Sequence, residues 1–266
     1  MFKMLDRLLV IFILILLLVS CKGFGEVKQP AKRPELKDLY NSLKNHAQTV
    51  HTVQADGKIE YKKQGKDARH DRGSFTWVVK KPKQATFEIT GPTGLLAVVG
   101  IGEEEFRYYD AREQRLFFGP VEGDALERVL PWGISPKDLI PLLCASPRLI
   151  KADSSAIEYD KKVKRWRLIL HNSRSDKIQL LWFNADLTLY RSKLLRRKHT
   201  YWDVTYLGWE RRDESGINFP GYIKLQHPAT KTTITLKAHG DPDINKQIDD
   251  SVFLLNFPES IPVERL

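Results

Sequence analysis

The sequence predicts a mainly β (α+β) protein whose antiparallel strands form a curved sheet, like a barrel cut open, over its own short helices. Three observations support this fold class. Apolar and polar residues alternate through about eleven short segments from residue 53 onward, turn residues separate these segments at hairpin spacing, and helical periodicity is confined to a few short stretches. Parallel strands would need long crossover connections, which this spacing does not provide.

The composition of the 266-residue chain is ordinary for a folded protein. Hydrophobic residues make up 42% and charged residues 29%, with a formal net charge of +10. These values exclude wholesale disorder. Two cysteines exclude a disulfide scaffold and a four-cysteine zinc site.

The first twenty residues predict a targeting segment. Lys3 and Arg7 supply positive charge, and residues 8–19 contain neither a charge nor a helix breaker. At about 1.5 Å per residue this run cannot cross a hydrocarbon core of about 30 Å, but it matches the apolar region of a signal peptide. Ser20 before Cys21 resembles the bacterial lipobox. That resemblance implies cleavage before Cys21 and attachment of a diacylglycerol and an N-acyl chain there; an ordinary signal peptide with an incidental cysteine is the alternative.

The predicted organisation has three parts: a lipoprotein signal peptide at 1–20 that is removed, a lipidated tether at 21–34, and a single domain at 35–266. The tether contains glycine and proline without an apolar period. Because two or more acyl chains make release from a bilayer very slow, the chain is expected to be lipid-anchored in a bacterial cell envelope. In a Gram-negative source, resemblance to sorted lipoproteins implies the outer membrane, facing the periplasm.

Three helices are predicted. Residues 35–51 place apolar side chains at spacings of three and four. A short helix is predicted at 123–129. A further helix opens at Ser135 as N-cap, with Pro136 at the first helical position and Asp138 in the first turn.

The other segments are predicted strands. Residues 53–61, 75–79 and 87–89 alternate apolar and polar side chains. Residues 95–101 are continuously apolar, which indicates either a strand buried on both faces or an exposed hydrophobic element. A final strand is predicted at 252–257, and Cys144 is predicted to be a small buried apolar residue.

Short motifs in a fixed order suggest a family. They are Phe-x-Trp at 75–77, Phe-Glu-Ile-Thr-Gly-Pro-Thr-Gly at 87–94, Leu-Pro-Trp-Gly at 130–133, Leu-Ile-Pro-Leu-Leu-Cys-Ala-Ser-Pro at 139–147, Asn-Phe-Pro at 218–220 and the segment 244–253. This order resembles the lipoprotein-localisation (LolA/LolB) superfamily, and within it the LolB-like lipoproteins.

The resemblance implies a half-open antiparallel barrel with a helical lid over an apolar cavity. It also implies a non-enzymatic role in binding acyl chains or lipoproteins, in outer-membrane lipoprotein delivery. The implied partners are the membrane through the lipid anchor, lipid or lipoprotein acyl chains, and a periplasmic carrier protein; the chain is expected to be a monomer that binds no nucleic acid. The candidate cavity wall is Phe75, Trp77, Phe87 and Ile89, and the candidate lid residues are Leu139, Leu142 and Leu143. For each residue, ordinary core packing is the alternative.

One position departs from the family pattern. LolB-type receptors carry an exposed leucine in the Pro-x-Gly loop, where this chain has Thr93. Leu95 and Leu96 follow directly and are candidates, with Thr93, for a loop that contacts membrane or cargo. They could equally begin a buried strand.

No catalytic motif is complete. The segment 133–137 lacks the second glycine of a nucleophile elbow, and 241–252 lacks the glycine and the glutamate of an EF-hand loop. The sequence therefore predicts no enzyme, no metal site and no cofactor besides the lipid on Cys21. Two alternatives stay open: an envelope scaffold that uses the same fold as a docking surface, and a hydrolase. Two basic clusters, 161–167 and 191–199, are either solvated surface or sites of attraction to anionic headgroups or an acidic partner.

Overall fold

The computed structural model of the chain describes residues 32–66, 68–122, 125, 134–212, 216–258 and 260–266. The predicted signal peptide, Cys21, almost all of the tether and, apart from Ala125, the predicted helix at 123–129 lie outside these residues. Residues 33–266 form a compact unit with its own core. In the described part of the chain, no helix combines the length and the apolarity needed to cross a bilayer.

The described residues form two α-helices, fifteen strands and one 3-10 helix. The α-helices are α1 (Leu36–Thr49) and α2 (Pro136–Leu143), and the 3-10 helix is Asp250–Phe253. The strands are β1 (Thr52–Lys63), β2 (Arg69–Lys80), β3 (Gln84–Gly91), β4 (Gly94–Ile101), β5 (Glu105–Asp110), β6 (Arg115–Pro120), β7 (Ser154–Asp160), β8 (Arg165–Asn172), β9 (Lys177–Phe183), β10 (Leu189–Arg196), β11 (His199–Arg212), β12 (Ile217–His227), β13 (Thr232–Ala238), β14 (Asp243–Ile244) and β15 (Val263–Arg265).

All strands belong to one sheet. Its order is β15-β6-β5-β4-β3-β2-β1-β13-β12-β11-β10-β9-β8-β7, and β14 pairs with the start of β1. Every pairing is antiparallel except that of β15 with β6. The sheet is open between β7 and β15, so the predicted half-open antiparallel architecture is confirmed, with more strands than the sequence indicated.

Two meanders, β1–β6 and β7–β13, meet where β1 pairs with β13 from Gly57 opposite Ala238 to Lys63 opposite Thr232. At this seam the backbones come very close, because a Cβ atom on Gly57 would lie 2.1 Å from the carbonyl oxygen of Lys237. Only glycine fits such an approach. The seam makes one continuous sheet from two units that are each formed by local hairpins.

The connections between strands fall at two ends of the sheet, because successive strands run in opposite directions. The end that we term the helical end holds the connections 81–83, 102–104, 161–164, 184–188 and 239–242, and the described residues 121–122, 134–135 and 216 of two further connections. The end that we term the hairpin end holds the turns 92–93, 111–114, 173–176, 197–198 and 228–231, and the described residues 64–66 and 68 of the turn after β1. The predicted basic cluster 161–167 thus begins at the helical end, whereas 191–199 reaches the hairpin end.

The core lies on the concave face of the sheet and includes the buried faces of both α-helices. Leu39 and Leu43 of α1 are buried there, together with alternate residues of β1, β2 and β3. The strands of both meanders contribute, so the core is one cluster that crosses the seam. The alternation that predicted the strands therefore identifies the residues that face this core.

The C-terminal segment covers the opposite face of β3–β5. Thr86 donates a hydrogen bond to the carbonyl of Val252 (3.0 Å), and Arg107 donates to the carbonyl of Leu255 (2.7 Å). Phe253 is buried at 4% exposure. The predicted final strand at 252–257 is wrong: a 3-10 helix and irregular backbone occupy this region, since it packs on a sheet face instead of extending an edge.

We expect Phe253→Ala to lower the free energy of unfolding by about 3–5 kcal/mol, because it removes a buried aromatic ring between the C-terminal segment and the sheet. Leu254→Ala is the matched control, since the neighbouring Leu254 is 61% exposed. Chemical denaturation of both variants checks this. Equal losses of stability in the two variants would contradict the packing of Phe253 against the sheet.

Candidate functional site

A cleft of about 1130 Å³ opens at the helical end, between α1, α2 and the turns that follow β2 and β4. Its apolar lining includes Tyr40, Leu43, Ala47, Pro136, Ile140, Pro141 and Leu149. Its charged lining consists of Lys44, Lys81, Lys83, Lys137, Arg148, Glu103 and Glu122. Five cationic and two acidic side chains give the rim a net charge of +3. The cleft therefore combines an apolar floor with a cationic rim.

Helical periodicity explains how α2 serves both core and cleft. Leu139, Leu142 and Leu143 are at most 2% exposed and belong to the core. The stripe at 136, 137, 140 and 141 lines the cleft. These positions repeat at a spacing of four, so they share one side of the helix.

Lys81 lies between α1 and the segment that follows α2. Its Nζ donates to the carbonyl of Ala47 in the last turn of α1 (2.5 Å) and to Oγ of Ser146 after α2 (3.4 Å). A cation near the carbonyls at a helix C-terminus is favourable. Burial lowers the pKa of Lys81 below its usual value. This side chain links the segments on both sides of the opening.

His46 makes a second link between the helices. Its Nε2 lies 3.0 Å from the carbonyl oxygen of Cys144, so this nitrogen carries the donated proton. The ring packs against Trp209, with centroids 5.3 Å apart, and against Phe219. Burial lowers the pKa of His46 to about 4, and the ring is neutral at pH 7.

Cys144 behaves as the sequence predicts. It is fully buried, and burial raises the pKa of its thiol to about 12. The thiol is therefore protonated at pH 7, and a thiolate nucleophile is not formed there.

The predicted wall residues lie apart from the cleft. Phe75, Trp77 and Phe87 are at most 3% exposed and pack on each other, with ring centroids 5.1 and 6.2 Å apart. Ile89 is half-buried and lines a smaller cavity of about 140 Å³ at the hairpin end. None of these four residues is among the described lining of the cleft. Their role as a wall for a bound chain stays a prediction, as does the lid role of Leu139, Leu142 and Leu143.

The predicted loop residues lie at the hairpin end, opposite the cleft. Thr93 is exposed in the turn between β3 and β4, and Leu95 is 39% exposed at the start of β4. Leu96 is half-buried and lines the smaller cavity. The apolar run of 95–101 is thus exposed at its start and buried only from Val99 onward. The structure does not bring this loop together with the cleft.

Sequence reasoning missed the cationic rim. Lys44 lies on α1 beside the cleft, and Lys81 and Lys83 lie in the turn after β2. The dense run of basic residues at 80–83 was the one local signal. Nothing local indicated that this turn meets α1 and Arg148, because those segments are distant in sequence.

Within the described ranges, no group of three or more His, Cys, Asp or Glu side chains is arranged to hold a metal ion.

Comparisons with known proteins identify similar folds. No protein-family model matches the chain, and no curated protein sequence matches it. A DUF1329 family protein from Desulfovibrio piger is similar in structure, with a TM-score of 0.55, 13% identity, and coverage of 82% of this chain and 96% of that chain. At this identity the similarity shows a shared fold alone.

Two further structures have lower scores. A LolA superfamily protein from Nitrosomonas europaea has a TM-score of 0.49 and 14% identity, with coverage of 81% of this chain and 96% of that chain. A protein domain assigned to outer membrane lipoprotein sorting, from Vibrio parahaemolyticus, has a TM-score of 0.47 and 8% identity, with coverage of 81% and 94%.

We expect stability to fall between pH 6.5 and 4.5 because of His46. Its folded pKa of about 4 lies below the usual 6.5, so the unfolded chain takes up the proton first. The contribution is complete above pH 6.5, and about 2 kcal/mol of it is lost as the pH falls to 4.5.

The measurement is chemical denaturation of the wild type and His46→Gln across this pH range. The variant should show a shallower loss, and His227, whose pKa burial also lowers, should account for part of its remaining slope. Identical slopes in the two proteins would assign the pH dependence to other groups.

Proposed function

We propose that this protein is a non-enzymatic, membrane-anchored lipoprotein of the LolB-like type. It binds the acyl chains of a lipid or lipoprotein in the cleft between α1 and α2, and it acts in outer-membrane lipoprotein delivery. The observation that carries the proposal is the cleft itself, with its volume of about 1130 Å³, its apolar floor and its cationic rim.

The floor has the chemistry that a hydrocarbon chain requires. Each CH₂ group removed from water contributes about 0.8 kcal/mol, provided that the surface it meets is apolar. Leu43, Ile140 and Leu149 supply such a surface. The volume lies above the range of about 300–1,000 Å³ typical of sites for small ligands, so it suits a long guest.

The rim has the charge that complements an anionic headgroup. Lys44 and Arg148 are exposed at the cleft, and Lys81 lies deeper. A phosphate or carboxylate at the end of an acyl chain would meet these cations while the chain lies on the floor. The guest therefore fits best as an anionic amphiphile.

The resemblance of residues 75–147 to LolB-like lipoproteins supports delivery as the biological role. In that role Cys21 carries the anchor and a periplasmic carrier protein supplies the cargo. The open sheet is consistent with a guest that enters from one side and leaves to a membrane.

Leu149→Glu should weaken acyl-chain binding about tenfold or more, because it places a charge on the floor and removes a contact of about 1.5–3 kcal/mol. Leu149 is 37% exposed, so folding should tolerate the change. Titration with a fluorescent sixteen-carbon fatty acid measures the affinity. Leu254→Glu, outside the cleft, is the control and should bind like the wild type. A wild type that binds no fatty acid and co-purifies with no lipid would contradict the proposal.

The rim predicts a preference for charged guests. The wild type should bind palmitate more tightly than methyl palmitate, and the double variant Lys44→Gln/Arg148→Gln should lose that preference by about two- to fivefold for each charge. Competition against the fluorescent fatty acid gives the ratio of affinities. Lys161→Gln/Lys164→Gln removes two charges from a turn outside the cleft lining and should leave the ratio unchanged. Equal ratios in all three proteins would remove the headgroup role of the rim.

A further inference from the structure

Among the described residues, positive charge is concentrated at the hairpin end of the sheet. The described residues of the six turns of the hairpin end, with one flanking residue on each side, carry eleven Lys or Arg and three Asp or Glu, a net charge of +8. The connections of the helical end, counted in the same way over their described side chains, carry seven Lys or Arg and eight Asp or Glu, a net charge of −1. The whole chain has a net charge of +10, so the hairpin end holds most of the excess.

Much of this positive charge is available to a partner. Lys66, Arg174, Arg197, Lys198 and Lys231 are exposed. Among the residues that the structure describes, none of their side chains forms an ion pair with an acidic group. They occupy four different turns, so internal acidic groups do not neutralise this end.

These cations are spread along the end of the sheet and do not form one cluster, as contact with an extended surface would require. Neighbouring strands lie about 4.8 Å apart, so the four turns that carry these cations, from the one after β1 to the one at 173–176, follow an arc on the order of 30 Å along the sheet. Cations distributed over such an arc do not converge on one small anion. They match a surface that carries many negative charges.

One turn adds an apolar group to the same end. Leu95 is 39% exposed, directly after the turn at 92–93. An exposed leucine at the same end as several exposed cations suits the interface of an anionic bilayer, where the cations meet headgroups and the apolar side chain enters the acyl boundary. An acidic protein would satisfy the cations but would not account for Leu95.

We propose that the hairpin end docks on an anionic lipid surface. Docking at this end leaves the helical end, with its cleft, on the side of the molecule away from that surface. The docking surface and the cleft share none of their described residues, so this inference stands apart from acyl-chain binding in the cleft.

The test is co-sedimentation of the compact unit 33–266 with vesicles at 150 mM salt. One set of vesicles contains phosphatidylglycerol and phosphatidylethanolamine, and the other contains phosphatidylcholine alone. The variant Arg197→Glu/Lys198→Glu/Lys231→Glu changes the hairpin end. The matched control Lys161→Glu/Lys162→Glu/Lys164→Glu changes an exposed turn of the helical end by the same net charge. Thermal unfolding of each protein checks that it is folded.

The wild type should bind the anionic vesicles preferentially. The hairpin-end variant should bind them at least about tenfold more weakly, since each Lys or Arg near an anionic surface strengthens binding about fivefold. The control should stay within about twofold of the wild type.

Equal losses in both variants would overturn the proposal, because net charge alone would then govern binding. A wild type without preference for anionic vesicles would also overturn it, in favour of an acidic protein partner. Fatty-acid binding by the same variants should be unchanged, which separates this result from the fate of the cleft.

Discussion

The pairing of β1 with β13 is the constraint on which the rest of the structure depends. It joins two hairpin meanders into one sheet and gives that sheet a single concave face. The approach of the two backbones leaves no room for a side chain at Gly57. Because this face is apolar across both meanders, it has to be covered, and the helices and the cleft follow from that requirement.

The two helices that the structure describes are short compared with the width of the sheet. At about 1.5 Å per residue, the 14 residues of α1 span about 21 Å and the 8 residues of α2 about 12 Å. A sheet of this width presents a longer arc than the two helices fill. The cleft lies at the helical end, where α1, α2 and the turn at 81–83 meet.

The parts of the fold that could be predicted are those set by local periodicity. The strands, the start of α1 and the opening of α2 at Ser135 and Pro136 all follow from residues close in sequence. The packing of the C-terminal segment on β3–β5 could not be predicted, because it depends on contacts such as Thr86 with Val252 across more than 160 residues. The sequence predicts an apolar cavity, but the position of the cleft and its cationic rim could not be predicted for the same reason. The leucines of α2 that are predicted as lid residues face the core, and the neighbouring stripe through Lys137 and Ile140 lines the opening.

The energetics of α2 bear on how a guest would enter. Displacing this helix would expose Leu139, Leu142 and Leu143, at about 1.5–3 kcal/mol for each side chain. It would also break the hydrogen bond that the buried Tyr206 hydroxyl donates to the carbonyl of Leu142 (3.0 Å). Such a cost is comparable with the whole stability of many domains, so large motion of α2 is disfavoured.

The contacts of Lys81 and His46 beside the cleft cost far less to break. Lys81 makes two hydrogen bonds and His46 makes one, all to main-chain or hydroxyl oxygens, and water can replace such bonds at a small net cost. Entry through the cleft mouth, with adjustment at Lys81 and with α2 in place, is therefore the route that the packing favours.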